Sequence, residues 1–343
     1  MSLPLDAALT HLSIGAQARQ ADAKLQDRLL QVQQFVGRDL AEVELLLAEA
    51  VAGAPEPAAS AARHLVGHGG KRVRPVALLL AAQCFGEVTP AVRELGTVVE
   101  LVHSATLLHD DVVDEGMERR GVATARMRWG NGVSVLAGDL LLVEALQRTE
   151  IHAPELLGAL IGTLRRLVNG EIVQLRGRTE LDVTEETYER VLRDKTASLF
   201  AFATRMGARL GGAGAAGQAA LAEFGEALGI AFQLVDDVLD YQGEATGKTL
   251  FADLGEGKLT LPLVLAVAAV PGLDDDVRRV HGGDRSLVAS ISRSVVESGA
   301  CDEVRRRARQ FTSRAIDALR PIEESPARKL LEVVAHQLAA RLS

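Results

Sequence analysis

Leu107-Leu108-His109-Asp110-Asp111-Val112-Val113-Asp114 reads as the last turns of an apolar helix that ends in three carboxylates. The figure returns further along the chain as Gln233-Leu234-Val235-Asp236-Asp237-Val238-Leu239-Asp240. In each, the first and last Asp stand at i and i+4 and share one helix face. Two carboxylates so placed repel by roughly 0.2–0.5 kcal/mol on an exposed helix. Among Leu and Val the cost is larger, because each charge also loses water. A divalent cation relieves it. Hard oxygen ligands suit Mg²⁺, which takes one or two carboxylates and completes its shell with water and substrate phosphate. The competing reading is two charged helix ends. With Asp near one residue in twenty, two DDxxD motifs arise by chance in a chain of this length on the order of once in a thousand. Asp274-Asp275-Asp276, which follows Pro271-Gly272, reads only as the start of a surface helix.

Outward from these motifs, the composition favours helices. The chain has 343 residues, 48% hydrophobic and 24% charged, which excludes a disordered chain. It holds 1 Trp, 2 Tyr and 8 Phe, so the core is expected to be Ala, Leu and Val. Ala and Leu favour helices, and no alternating strand pattern occurs. Helical spacing predicts helices over residues 31–52, 76–85, 92–114, 131–148, 155–176, 184–210, 218–241 and 261–270, with two surface helices in 285–343. Val32, Phe35, Val36, Leu40, Val43 and Leu47 carry the first, Pro75 suits a first helical turn, and Thr184 suits an N-cap. Residues 1–30 read as an N-terminal arm or short helix. No linker is visible, so residues 1–343 are expected to form one all-α domain.

The net charge of −8 argues against a general grip on nucleic acid. The longest uncharged stretch, Leu259 to Leu273, falls short of the roughly 20 residues that span a bilayer. The first residues lack the basic-then-apolar pattern of a signal peptide. Cys84 and Cys301 have no motif spacing and suit a reducing compartment. A cytoplasmic protein is expected.

Several cations stand where an anion would meet them. Gly69-Gly70-Lys71-Arg72-Val73-Arg74-Pro75 places backbone amides and three cations before a helix N-terminus. Arg119-Arg120-Gly121 follows the first acidic motif, and an Arg fork binds phosphate oxygens in pairs. Lys195-Thr196 lies mid-helix, and Lys248 and Lys258 follow the second motif. Gly247-Lys248-Thr249 is not a nucleotide-binding loop, because position 242 is Gln and a helix precedes it. His103 lies two turns before Asp110 on the same face, and Glu171 and Gln174 are polar positions expected to buttress the first acidic motif.

Together LLHDDVVDEGMERRG, FQLVDDVLDY, GKTLFADLGEGKLTLP, GGKRVRP, VLAGDLLL and DKTASLF resemble the trans-polyprenyl diphosphate synthases, over about residues 60 to 270. The resemblance implies a bundle of long helices around a central cavity, usually a homodimer. It implies that an allylic prenyl diphosphate ionises, isopentenyl diphosphate attacks the cation, and the released diphosphate takes the lost proton. It assigns Mg²⁺, three ions per site assembled with the substrate, to Asp110, Asp114, Asp236 and Asp240, with Asp111 and Asp237 supporting them. Arg119, Lys195, Lys248 and Lys258 would hold the allylic diphosphate. Lys71, Arg74, His103 and Arg120 would hold isopentenyl diphosphate, and Thr196 and Gln233 would face the reacting carbons. Membrane contact would be transient, for product release.

Two rivals fit less well. A terpene cyclase would carry a mixed second metal motif, and a non-catalytic partner subunit would lack an Asp or a basic residue. Product length is expected to be read at Ala105, Val102 and Val99, one to three turns before Asp110 along the tunnel. Small residues at 105 and 106, where short-chain members of the family carry rings, imply a long product. Leu136, Leu140 and Val143 are candidates for the tunnel floor.

Overall fold

A computed structural model describes residues 22–67, 70, 72–119, 121–242, 254 and 257–340. Lys71, Arg120 and Lys248 lie outside the described residues, as does the expected arm up to residue 21. The long helices come in the expected order, and two that were not expected, Ala58–Gly67 and Ala125–Trp129, stand between them. They are α1 (Asp22–Ala52), α2 (Ala58–Gly67), α3 (Val73–Gln83), α4 (Pro90–Val113), α5 (Ala125–Trp129), α6 (Asn131–His152) and α7 (Leu157–Glu180). Then follow α8 (Glu185–Val191), a π-helical turn Leu192–Ala197, α9 (Ser198–Leu210), α10 (Ala215–Gln242), α11 (Leu261–Ala269) and α12 (Leu273–His281). The last are α13 (Val288–Glu297), α14 (Ala300–Ala318) and α15 (Pro326–Ala340). A two-residue hairpin, β1 (Glu118–Arg119) paired antiparallel with β2 (Val122–Ala123), is too short to leave a strand pattern in the sequence.

The chain forms two compact units. One takes Met1–Ile161, Phe202–Ala222 and Leu319–Val334; the other takes Gly162–Ala201, Glu223–Ala318 and Ala335–Ser343. Each draws on three stretches of chain, so no single linker separates them.

In the first unit, Val32, Val36, Leu40, Val43 and Leu47 recur every three or four residues and are buried, giving α1 its inner face. Phe35, expected on that face, is 39% exposed. Helix α3 is buried nearly all round. Thr89 caps α4 by accepting from the Val92 N–H at 3.4 Å. Helix α6 packs on α4 through small side chains, including Ser134, Ala137, Gly138 and Ala145. A Cβ at Gly138 would overlap the His109 ring, so glycine sets how closely the two helices approach here. Leu136 and Val143 are 62% and 59% exposed. Leu140, the third residue expected at the tunnel floor, is half-buried. The C-terminal stretch belongs to this unit, with Leu319 and Leu331 fully buried. Cys84, just past α3, lies beside Ser325 and Arg328, and burial pushes its thiol up to about 11.

In the second unit, Leu234, Val235 and Val238 of α10 meet Leu263 and Val264 of α11 and Val295, Val304 and Ala308 of α13 and α14. The expectation of two surface helices after residue 285 is thereby corrected: α13, α14 and α15 each bury an apolar face. Their abundant charge is spent on the outer side, as where Arg306 and Arg307 both bind Glu303.

Candidate active site

Within the first unit, α4 ends at the DDVVD motif in a capping turn. The Gly116 N–H donates to the Asp111 carbonyl at 2.9 Å and the Glu115 N–H to that of Val112 at 3.3 Å. This is the Schellman pattern, with Glu115 at φ 55° in the left-handed position where glycine is usual. The chain then enters the β1–β2 hairpin, which is tied back to the helix end. Thr124 Oγ1 donates to the Gly116 carbonyl at 2.8 Å, and the Arg126 guanidinium donates to that of Glu115 at 2.7 Å.

The three aspartates of this motif differ. Asp111 is 3% exposed, and one of its oxygens accepts from Arg119 Nε at 3.0 Å and Nη2 at 2.8 Å. Burial raises its pKa, the Arg119 guanidinium pulls it back, and the charges of Asp110 and Asp114 raise it further. Asp111 therefore turns into the fold and positions Arg119, expected to hold the allylic diphosphate. Asp110 and Asp114 remain at i and i+4, the first half-buried and the second at the edge of burial. His109 Nε2 lies 3.2 Å from the Val135 carbonyl and 3.3 Å from an Asp139 oxygen.

Of the three cations in KRVR, Arg72 is buried against Glu44, Glu100 and the Val66 carbonyl. Burial alone would lower its pKa, but Glu100 and Glu44 more than offset this, and it stays charged. Arg72 is thus a structural cation, while Arg74 is half-buried in the first turn of α3. His103 is half-buried on α4, and Val99, Val102 and Ala105 are fully buried.

Within the second unit, the middle aspartate of DDVLD again turns inward. Asp237 accepts from the Tyr188 hydroxyl at 2.7 Å, Gln233 Nε2 at 2.9 Å and the Leu261 N–H at 3.4 Å. The last of these sits in the first turn of α11, where a carboxylate suits the helix dipole. Asp236 and Asp240 share the i, i+4 relation, with Asp236 half-buried and Asp240 buried.

Thr196 and Gln233, both expected to face the reacting carbons, are hydrogen-bonded to each other at 3.2 Å. Thr196 and Lys195 lie in the π-helical turn, a feature common at functional sites. That turn is held against α7. Arg166 Nε donates to Asp194 at 2.8 Å, Lys195 forms an ion pair with Glu171, and a Cβ at Gly170 would stand 2.7 Å from the Lys195 backbone nitrogen. Glu171, expected to serve the first acidic motif, is thus engaged by Lys195. Lys258 is half-buried just ahead of α11.

The donor set fits Mg²⁺. Each motif turns one carboxylate inward and keeps two hard oxygen donors one turn apart. Among the described residues no three His, Cys, Asp or Glu side chains gather at one point. Sequence reasoning missed Tyr188, Gly170, Glu115 and the structural role of Arg72. Both tyrosines of the chain are buried, and Tyr241, next to Asp240 in the sequence, lies 3.3 Å from Thr260 Oγ1, whereas nothing in the sequence links Tyr188 to the second motif.

Known proteins match this arrangement along most of the chain. Residues 55–297 match the family model described as polyprenyl synthetase. The octaprenyl diphosphate synthase of Escherichia coli K12 is 35% identical, over 90% of this chain and 97% of that protein. The all-trans-nonaprenyl-diphosphate synthase (geranyl-diphosphate specific) of Rhodobacter capsulatus is 36% identical, over 86% of this chain and 93% of that one. The crystal structure of a polyprenyl synthase from Caulobacter crescentus CB15, complexed with calcium and isoprenyl diphosphate, superposes with a TM-score of 0.86 at 34% identity and covers 91% of this chain and 98% of that one. The all-α architecture is that of the isoprenyl synthases, and the chain belongs to the polyprenyl synthetase family.

Proposed function

We infer that this chain is a long-chain trans-polyprenyl diphosphate synthase, which condenses an allylic diphosphate with isopentenyl diphosphate. The observation that carries the reading is the division of labour inside each DDxxD motif. Asp111 and Asp237 are bound by side chains of the fold, while Asp110 with Asp114, and Asp236 with Asp240, keep the spacing of a metal pair. The relatives named as octaprenyl and nonaprenyl synthases support the long product, and the Caulobacter structure with calcium and isoprenyl diphosphate supports a divalent ion and a diphosphate.

Asp110, Asp114, Asp236 and Asp240 would hold Mg²⁺, three ions per site, and the ions would supply positive charge to the departing diphosphate. Arg119, fixed by Asp111, and Lys195, braced by Glu171 at rest, bind the allylic diphosphate together with Lys248 and Lys258. Lys71, Arg74, His103 and Arg120 bind isopentenyl diphosphate. Thr196 and Gln233 present oxygen dipoles that steady the carbocation without trapping it. No side-chain base is assigned, because the released diphosphate takes the proton. The tunnel runs past Ala105, Val102 and Val99.

The enzyme acts in the cytoplasm as a homodimer. The outward apolar face of α6, with Leu136, Val143 and Ile151, supports a second copy as its cover. No helix among the described residues is long and apolar enough to cross a membrane, so contact with one, for product release, is transient.

Incubation with labelled isopentenyl diphosphate and an allylic starter tests the reading. Asp110→Ala and Asp236→Ala are expected to fold, as judged by circular dichroism, and to lose on the order of a thousandfold or more in kcat. Chelation of Mg²⁺ should abolish turnover in the parent. Near-normal turnover in either variant removes that residue from the metal set.

A further inference from the structure

Four side chains of the second unit form one hydrogen-bonded series that begins outside the residues assigned above. Tyr188 OH lies 2.7 Å from Asp237 Oδ2, Gln233 Nε2 lies 2.9 Å from Asp237 Oδ1, and Thr196 Oγ1 lies 3.2 Å from Gln233 Oε1. The direction of each bond follows from what each group can do. An amide NH₂ can only donate, so Gln233 Nε2 donates to Asp237 Oδ1, and the Tyr188 hydroxyl donates to Asp237 Oδ2. With its NH₂ so committed, Gln233 can turn only its carbonyl oxygen toward Thr196. Thr196 must then donate its hydroxyl hydrogen to that oxygen, and its lone pairs point elsewhere.

The geometry points to Tyr188 as a positioning residue for prenyl transfer, which acts through Asp237 and Gln233 to fix Thr196 with its lone pairs, and not its hydrogen, available to the carbocation. This deepens the proposed function and rests on it. A reversed series would present the positive end of the Thr196 dipole to a cation and raise the barrier. Asp237 needs its partners for this. It is 2% exposed, and a carboxyl group so buried is tolerated only when its oxygens are satisfied. The Leu261 N–H supplies one bond at 3.4 Å, and the Tyr188 hydroxyl supplies the short one to the same oxygen. The chain spends its aromatic side chains sparingly, and it places 1 of its 2 tyrosines here, where the ring packs in the α10–α11 core and only the hydroxyl reaches the carboxylate.

The test uses Tyr188→Phe, Asp237→Asn and the double variant, assayed with labelled isopentenyl diphosphate and Mg²⁺. Tyr188→Phe keeps the ring and deletes the donor. It is expected to lower kcat roughly tenfold, within the 10- to 100-fold range of residues that orient a functional group. KM for both diphosphates should stay within about twofold of the parent, since no binding group is touched. The double variant should be no slower than the slower single one, because both break the same series. An unchanged kcat in Tyr188→Phe, a rise confined to KM, or strictly additive losses would overturn the inference. Should Tyr188→Phe not fold, Asp237→Asn, whose added NH₂ lets the Gln233 amide reverse, decides with its Mg²⁺ dependence read alongside: a loss of kcat at an unchanged half-saturating Mg²⁺ supports the series, and full kcat, or a loss that excess Mg²⁺ restores, sinks the idea. A parent enzyme that makes no prenyl product would instead defeat the proposed function, and so the two failures are distinguishable.

Discussion

At the scale of single residues, Ala105 carries the sharpest consequence. It is fully buried on α4, five residues before Asp110, so any larger side chain must take its volume from a tunnel or from a neighbouring helix. Ala105→Phe is expected to shorten the product by several five-carbon units, read by chromatography, and to leave the first condensation largely intact. A ring that displaces packing instead would cost about 1–3 kcal/mol and lower the melting temperature without changing product length. Thermal melting and product analysis of the same preparation separate the two outcomes. The two acidic motifs were legible because their chemistry is local: a repeated i, i+4 pair after an apolar run. Arg72 and Arg74 were not distinguishable, because two cations two residues apart look alike until Glu44 and Glu100 arrive from other helices. Tyr188 was illegible for the same reason, since its partner Asp237 lies 49 residues away.

At the scale of elements, the long helices were legible, while Ala58–Gly67, Ala125–Trp129 and the third helix after residue 285 were not, and helix ends were less so. Helices α6 and α7 each run four residues past the expected C-terminus, to His152, just before Ala153-Pro154, and to Glu180, passing through Gly177 without a break. The end of α4 is closed by backbone bonds and not by a signature residue, because Glu115 occupies the left-handed position. That position costs a residue with a Cβ about 1 kcal/mol or more, which glycine avoids. Glu115→Gly should therefore raise the urea midpoint by an amount worth about 1 kcal/mol, with an unchanged m-value. A fall in the midpoint would show that the glutamate side chain, and not the turn, holds the helix end. The π-helical turn Leu192–Ala197 escaped the sequence reading because one extra residue in a turn leaves a buried-position pattern still close to helical.

At the scale of the whole molecule, the composition argument held: the core is mostly Ala, Leu and Val. The division into units was not legible, because it follows spatial contacts that no stretch of sequence records. It has a direct experimental consequence. A chain ended after Ala318 loses Leu319–Val334 from the first unit, where Leu319, Ile322 and Leu331 are buried. Amides of α4 and α6 are expected to exchange their hydrogens markedly faster in that truncated chain, read by mass spectrometry. Unchanged protection there would mean that the last stretch contributes little to the unit carrying Asp110. The same interleaving bears on how the protein is made. The first unit lacks its last segment until Val334 has left the ribosome, although most of its residues precede position 162. At about 5–20 residues per second, the segment with the first acidic motif waits roughly ten to forty-five seconds for its final packing partner. During that time nascent chains must keep its apolar helix faces from one another, so a strong dependence of soluble yield on chaperone supply is the expected mark of this topology in a living cell.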